Sequence, residues 1–216
     1  MLFLVVVAIV LFYMGCTAAL LYLRFLPPLT TGVQIQRRVE SWLESKPYQK
    51  RSEFRKLDEI SPNLQHAVIA AEDVRFYSHH GIDFKELGRV VEEDTDEGKV
   101  RRGASTLTQQ LVKNLFFTTH RSTVRKGVEM TLAPIADVVL GKQRVLELYL
   151  NVVEWGPGVY GAEAASKYHY GMSAQKLTRD QSARLAAVLP APLRRRPARM
   201  NRYSAQILER MGQMGW

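Results

Sequence analysis

The sequence predicts an all-α, mostly helical fold with one N-terminal transmembrane helix. Three observations predict it. Apolar residues recur at helical spacing through most of the chain after Leu57, alternating strand patterns are scarce, and Leu2 to Leu23 carry no charge. The 216 residues suffice for one sizeable domain and are too few for two large ones. We therefore divide the chain into an anchor (1–23), a juxtamembrane connector (24–56) and a folded domain (57–216).

The uncharged run is rich in Leu, Val, Ile and Phe, and about 20 such residues span a bilayer. Nothing basic precedes it, which disfavours a cleaved signal peptide. Cys16 follows Tyr-Met-Gly, a poor acylation site, and reads as a small apolar residue within the helix. Arg24, Arg37 and Arg38 follow the span, so charge bias alone would put the body in the cytoplasm. Pro27-Pro28 opens the connector, which holds a short helix near Gln34–Leu43. Ser61-Pro62 is a cap followed by proline at the first helical position, opening Asn63–Asp73. Helices are expected next at Asp83–Glu93, at Ser105–Phe117 with Ser105 as cap, and at Ser122–Leu140 with a kink at Pro134. Four more follow at Gln143–Val153, Val159–Tyr168, Thr178–Leu189 and Ala198–Met211. The acidic run Glu92, Glu93, Asp94, Asp96 and Glu97 reads as a solvated surface loop near Gly98.

A single cysteine excludes an internal disulfide framework and any multi-cysteine metal site. The net charge of +9 suits an anionic partner: nucleic acid, anionic lipid or a phosphorylated substrate. No zinc finger or aromatic-basic platform speaks for nucleic acid. The arginines at 194, 195, 196, 199, 202 and 210, set against Glu209, suit lipid head groups better.

Four segments carry chemistry. In the first, Glu72 and Asp73 end an apolar helix just before Arg75, Phe76 and His79. A carboxylate there faces an unfavourable helix dipole, and partial burial would add to a raised pKa, as a general base needs. A surface pair of Glu72 with Arg75 is the plain alternative. The second runs from Arg101-Arg102-Gly103-Ala104 into Ser105, Thr106, Thr108, Gln109, Gln110, Lys113 and Asn114. So much uncharged polarity at a helix start, where backbone N–H groups favour anions, suggests a hydroxyl-rich or phosphate-bearing ligand. The third, Arg121 to Glu129, sets Arg125 and Glu129 four residues apart beside Lys126. It suits either a surface ion pair or a pyrophosphate site with an orienting acid. The fourth, Lys142 to Ala165, reads mostly as core, Tyr149 included.

Together these segments resemble the peptidoglycan glycosyltransferases, the lysozyme-like family that polymerises lipid II. The pattern Glu-Asp-x-x-Phe-x-x-His-x-Gly is met by Glu72, Asp73, Phe76, His79 and Gly81. Gly103 to Asn114 matches Gly-Gly-Ser-Thr-x-Thr-Gln-Gln-x-x-Lys-Asn, with Ala104 replacing the second glycine. Arg125, Lys126 and Glu129 give Arg-Lys-x-x-Glu, Leu146 to Asn151 give Leu-Glu-x-Tyr-Leu-Asn, and Tyr160 to Ala165 give Tyr-Gly-x-x-x-Ala-Ala. His169-Tyr170-Gly171 stands where the family often has Tyr-Phe-Gly.

The resemblance implies a lysozyme-like glycosyltransferase domain of the monofunctional kind, without a transpeptidase domain. It places the body on the periplasmic or outer side of the inner (plasma) membrane, against the local charge reading. It implies that Glu72 is the general base and Glu129 a second catalytic acid. Ser105, Thr106, Gln109, Gln110, Lys113, Asn114, Arg121, Arg125 and Lys126 would bind substrate, and Asp73, Phe76 and His79 are further candidates. His79 is read as either catalytic or a hydrogen-bonded structural residue. The partners are lipid II, the growing lipid-linked strand, the membrane and other wall-synthesis proteins, with no nucleic acid. No cofactor is required, no dense metal-ligand cluster is evident, and a divalent cation is left open. A glycan-cleaving enzyme of lysozyme-like fold and a non-catalytic scaffold are the alternatives.

Overall fold

The computed structural model describes residues 1–97, 105–120 and 122–216, with 91–97 described by their helical backbone alone. Arg101 to Ala104, Gly98, Arg121 and the side chains of the acidic run lie outside the described residues. Ten α-helices occur among those described: α1 Leu2–Phe25, α2 Gly32–Leu43, α3 Pro62–Glu72, α4 Phe84–Glu97, α5 Leu107–Phe116, α6 Thr123–Leu140, α7 Lys142–Val152, α8 Ala162–Tyr170, α9 Arg179–Ala186 and α10 Asn201–Gln213. The mostly helical expectation holds.

The differences in the elements have local causes. The acidic run expected as a loop continues α4 as far as Glu97. Thr106, not Ser105, caps α5, because its hydroxyl accepts from Gln109 N–H while the Gln109 side chain accepts from Thr106 N–H. Ser61 precedes Pro62 but donates to the carbonyl of Leu177, 2.9 Å away, instead of capping α3. The helix expected from Val159 begins at Ala162, since Val159–Tyr160 is a strand.

That strand, β3, pairs antiparallel with β2 (Glu154–Gly156) and parallel with β1 (Arg51–Ser52). The three short strands in the order β1-β3-β2 were not read from the sequence. Trp155, Tyr160, Phe76 and Tyr149 are fully buried in the core around them.

α3 packs against α9 and α10, while α5 packs between α6 and α7. The groove opens between these two groups of helices. The 24–56 segment is part of the body: α2 lies on α5, and β1 joins the sheet. α1 is a single helix in two parts. Residues 2–12 are exposed, whereas Cys16, Leu20 and Leu23 pack into the core alongside α6. Tyr13 bonds Thr131, Arg24 donates to the Val139 carbonyl (3.0 Å), and Arg144 donates to the carbonyls of Leu23 and Leu26. By length and composition α1 can cross a membrane.

Candidate active site

α3 stops at Glu72 because Asp73 leaves helical geometry, with φ −157° and ψ 73°. This break turns the two neighbouring acids to different tasks. Asp73 turns inward, where its carboxylate meets His79 Nε2 at 3.0 Å and accepts from Leu107 N–H at 2.9 Å. It thereby fastens the end of α3 to the start of α5. Phe76 is fully buried, with the Lys142 ammonium 4.7 Å from its ring centre. Gly81 holds φ +82°, and a Cβ there would fall 2.5 Å from the Ala133 carbonyl oxygen, so only glycine fits. The Gly81 carbonyl accepts from the Thr106 hydroxyl at 2.6 Å.

Glu72 turns the other way, into a cavity of about 580 Å³. Ala71 to Arg75, Asp83, Glu86, Ser105, Thr106, Pro190, Tyr203 and Arg210 are among its walls. One Glu72 oxygen accepts from Gln110 Nε2 at 2.8 Å, and the Tyr149 hydroxyl donates to Gln110 Oε1 at 3.0 Å. Burial, reinforced by the charges of Glu72 and Asp73, holds the Tyr149 pKa well above that of a free phenol. Tyr149 therefore stays a donor, which fixes the amide with its NH₂ toward Glu72.

A second cavity of about 330 Å³ adjoins the first at Pro190. Its walls include Gln110, Lys113, Asn114, Val33 and Arg37 of α2, Glu154, and Leu189 to Arg194. The Lys113 ammonium makes no hydrogen bond among the described residues. Burial lowers its pKa most; Glu129 and Glu72 oppose the shift, while Arg125 and Lys126 add to it. Both acids thus lie within electrostatic reach of one ammonium group.

Glu129 is only 3% exposed. Arg125 Nε lies 3.2 Å and Lys126 Nζ 3.6 Å from its carboxylate. Arg125 also donates to the Thr118 carbonyl, and Lys126 to the Ser105 hydroxyl at 2.8 Å. Ser105, a wall of the first cavity, thus joins it to the ion cluster around Glu129.

The structure brings Glu72, Gln110, Lys113, Arg125, Lys126, Glu129 and Ser105 together. Thr106 lines the first cavity, but its hydroxyl is committed to the Gly81 carbonyl and to Gln109 N–H, while the Gln109 side-chain oxygen accepts from Thr106 N–H in the same cap. Asn114 is buried and donates to the Gln110 carbonyl at 2.7 Å. Asp73, Phe76 and His79 lie behind Glu72 as its support. Arg121 lies outside the described residues.

Asp73, His79 and Asp83 have the spacing of a metal-ligand trio. Apart from His79 Nδ1, their ligating atoms are otherwise engaged. Asp83 Oδ1 accepts the N–H groups of Lys85 and Glu86, its Oδ2 pairs with Arg75 Nε at 3.1 Å, and Asp73 holds His79 and Leu107. A guanidinium in the cluster suits a hydrogen-bonded clamp, not a dication.

Sequence reasoning gave Tyr149, Arg37, Glu154 and Tyr203 no place at the site, and it put Arg210, a wall of the first cavity, in the lipid-facing basic patch instead. Glu154 accepts from Arg37 at 3.2 Å and from the Tyr160 hydroxyl at 3.4 Å. Burial raises its pKa more than Arg37 and Tyr160 lower it.

The transglycosylase family model matches residues 38–213. A protein of Pseudomonas entomophila named biosynthetic peptidoglycan transglycosylase is 42% identical over 212 residues, covering 96% of this chain and 89% of the relative. Its namesake in Pseudomonas aeruginosa is 41% identical over 210 residues, covering 95% and 90%. A third of that name, from Ectopseudomonas mendocina, is 42% identical over 211 residues, covering 95% and 87%.

Proposed function

Because the chain belongs to the transglycosylase family and is a peptidoglycan transglycosylase, we propose that it polymerises lipid II into linear glycan strands. The acceptor is the 4-hydroxyl of the lipid II GlcNAc. Glu72 takes the hydroxyl proton, and the oxygen attacks C1 of the donor strand's terminal MurNAc. The bond from C1 to the pyrophosphate oxygen breaks with inversion, and undecaprenyl pyrophosphate leaves with the bonding electrons.

The observation that carries this reading is the pairing of a fixed carboxylate with a cation cluster across one groove. Gln110 and Tyr149 hold Glu72 in place, as a base aimed at one hydroxyl requires. Lys113, Arg125 and Lys126 offer positive charge where the leaving diphosphate accumulates negative charge. Glu129 orients those cations and takes no proton from the acceptor. Arg121 stands in the same sequence segment and is assigned to substrate binding on that ground alone. A glycan-cleaving enzyme would need the acid but not the cations.

We place the body on the outer side of the inner membrane, with α1 as its anchor and the lipid-linked strand as its second partner. The deciding experiment incubates the membrane-reconstituted protein with labelled lipid II. Strands should form with the wild type and fail with Glu72→Gln at unchanged circular dichroism. A fully active, folded Glu72→Gln protein would remove the base assignment. Shortening of preformed strands without polymerisation would replace the function itself.

A further inference from the structure

α2 is built inside out. Its protein-facing side is mostly polar: beside the single buried apolar Val33, Gln34 and Gln36 are buried, and Arg37 reaches Glu154. Gln36 donates to the Thr119 hydroxyl at 2.8 Å and accepts from Thr119 N–H at 2.6 Å. Its outward side is apolar: Ile35, Val39, Trp42 and Leu43 are 52%, 47%, 77% and 70% exposed. Their spacing of i, i+4, i+7 and i+8 makes one continuous stripe. A helix on a water-bathed surface carries the reverse pattern.

The stripe also stands in a telling place. The exposed part of α1 meets the body at Phe117, whose ring centre is 6.3 Å from that of Phe12. α2 starts at the same residue, since a Cβ on Gly32 would fall 2.4 Å from the Phe117 carbonyl oxygen. The bare apolar length of α1 and the stripe of α2 therefore leave the body at one end. Thr118 and Thr119, the next two residues, accept from Arg125 and bond Gln36. One short turn thus ties α2 to the cation cluster.

The geometry points to α2 as an interfacial helix that lies in the membrane plane with Ile35, Val39, Trp42 and Leu43 in the acyl boundary. This rests on α1 being the membrane anchor. Lipid is the occupant because the stripe is continuous with that anchor, Trp42 is a residue of the membrane interface, and the nearby Arg38, Lys46 and Lys50 are exposed and suit anionic head groups. By this docking α2 sets the height of Lys113 and Arg125 above the lipid, where a lipid-borne diphosphate must arrive.

The test uses the full chain, with Cys16→Ala removing the lone cysteine, in phosphatidylcholine–phosphatidylglycerol vesicles. A polarity-sensitive fluorophore is attached at Val39→Cys and, separately, at exposed Gln206→Cys of α10. The Val39 label should emit to the blue, resist aqueous iodide several-fold better than the Gln206 label, and be quenched by lipids brominated near the carbonyl. Equal iodide access at both sites, without lipid quenching, would overturn the proposal. So would shielding that grows with protein density in the bilayer, which would mean a second copy covers the stripe. A label-free arm compares wild type with Trp42→Phe. The share of tryptophan emission quenched by brominated lipid should drop, because, of the two remaining tryptophans, Trp155 is sealed in the core and Trp216 is stacked on His66, away from α2. An unchanged share would count against lipid contact. Polymerisation by the same vesicles is followed in parallel, so a water-exposed α2 in an active enzyme would sink the docking and leave the catalytic reading standing.

Discussion

The two banks of the groove are built on opposite principles. On the Glu72 side, matched hydrogen bonds between neutral groups set the geometry: Gln110 donates to Glu72 and is itself held by the Tyr149 donor, beside the closed Thr106–Gln109 cap. Around Glu129 the contacts are charges held close but poorly aligned. Arg125 Nε and Glu129 Oε1 lie 3.2 Å apart, yet neither makes an aligned hydrogen bond. The first bank defines one position for one carboxylate. The second keeps positive charge in reserve, because a cation fully committed to a protein acid has little left for an incoming anion. The difference teaches which bank should tolerate substitution: the first should fail by misplacement, the second by loss of charge.

The largest effect is expected at Glu72. Glu72→Gln keeps the shape and removes the base, so turnover should fall by about 10²–10⁴-fold at unchanged melting temperature. Its neighbour should behave the other way. Asp73→Ala strands His79 and the Leu107 N–H, both buried, and should cost roughly 3 kcal/mol of stability, read from denaturant midpoints. If Asp73→Ala melted like wild type and only lost turnover, the division of labour between these adjacent acids would be wrong.

That division was only half legible beforehand. The motif marks Glu72 and Asp73 alike, and only the backbone break at Asp73 turns one into the groove and the other into the body. Helices with long periodic faces, such as α6 and α7, were placed within a residue or so at each end. The strands escaped because two or three residues cannot display alternation, and because β1 pairs with a partner over 100 residues away, Arg51 opposite Val159. Tyr149 looked like core because it is core. Its hydroxyl matters only once folding sets it against Gln110. Ser105 and Thr106 are adjacent cap formers, and the deciding partner, Gln109, stands at the right distance from Thr106 alone.

On the cation bank the sign of the Lys113 shift gives a paired prediction. Its pKa lies below that of an ordinary lysine, chiefly through burial, so the folded state releases this proton before the unfolded state does. The charge is therefore a cost to folding at neutral pH, and that cost fades as pH rises through the lowered pKa. Lys113→Met should raise the melting temperature while turnover falls by roughly 10–100-fold, a few kcal/mol of lost diphosphate stabilisation. Lys113→Arg, which cannot lose its charge, should move the alkaline limb of the rate profile to higher pH. A melting temperature lowered by Lys113→Met would mean that Glu129 and Glu72 outweigh burial at this site.

The smallest effect tests the rigid bank most directly. Tyr149→Phe removes one hydroxyl from a sealed position and leaves the ring's packing intact. The stability loss should be about 1 kcal/mol, that of one buried hydrogen bond. The catalytic effect should exceed what that number suggests for a residue outside the groove. Without the phenol donor, Gln110 is free to turn its carbonyl oxygen toward Glu72, where two acceptors repel. The Glu72 carboxylate would then lose its fixed place, and turnover should drop about tenfold while the apparent affinity for the acceptor holds. Gln110→Glu sharpens the point, since it sets a second carboxylate against Glu72 and should raise the acidic limb of the rate profile. If Tyr149→Phe costs stability but leaves turnover untouched, the phenol serves packing alone and Glu72 owes its placement to the end of α3.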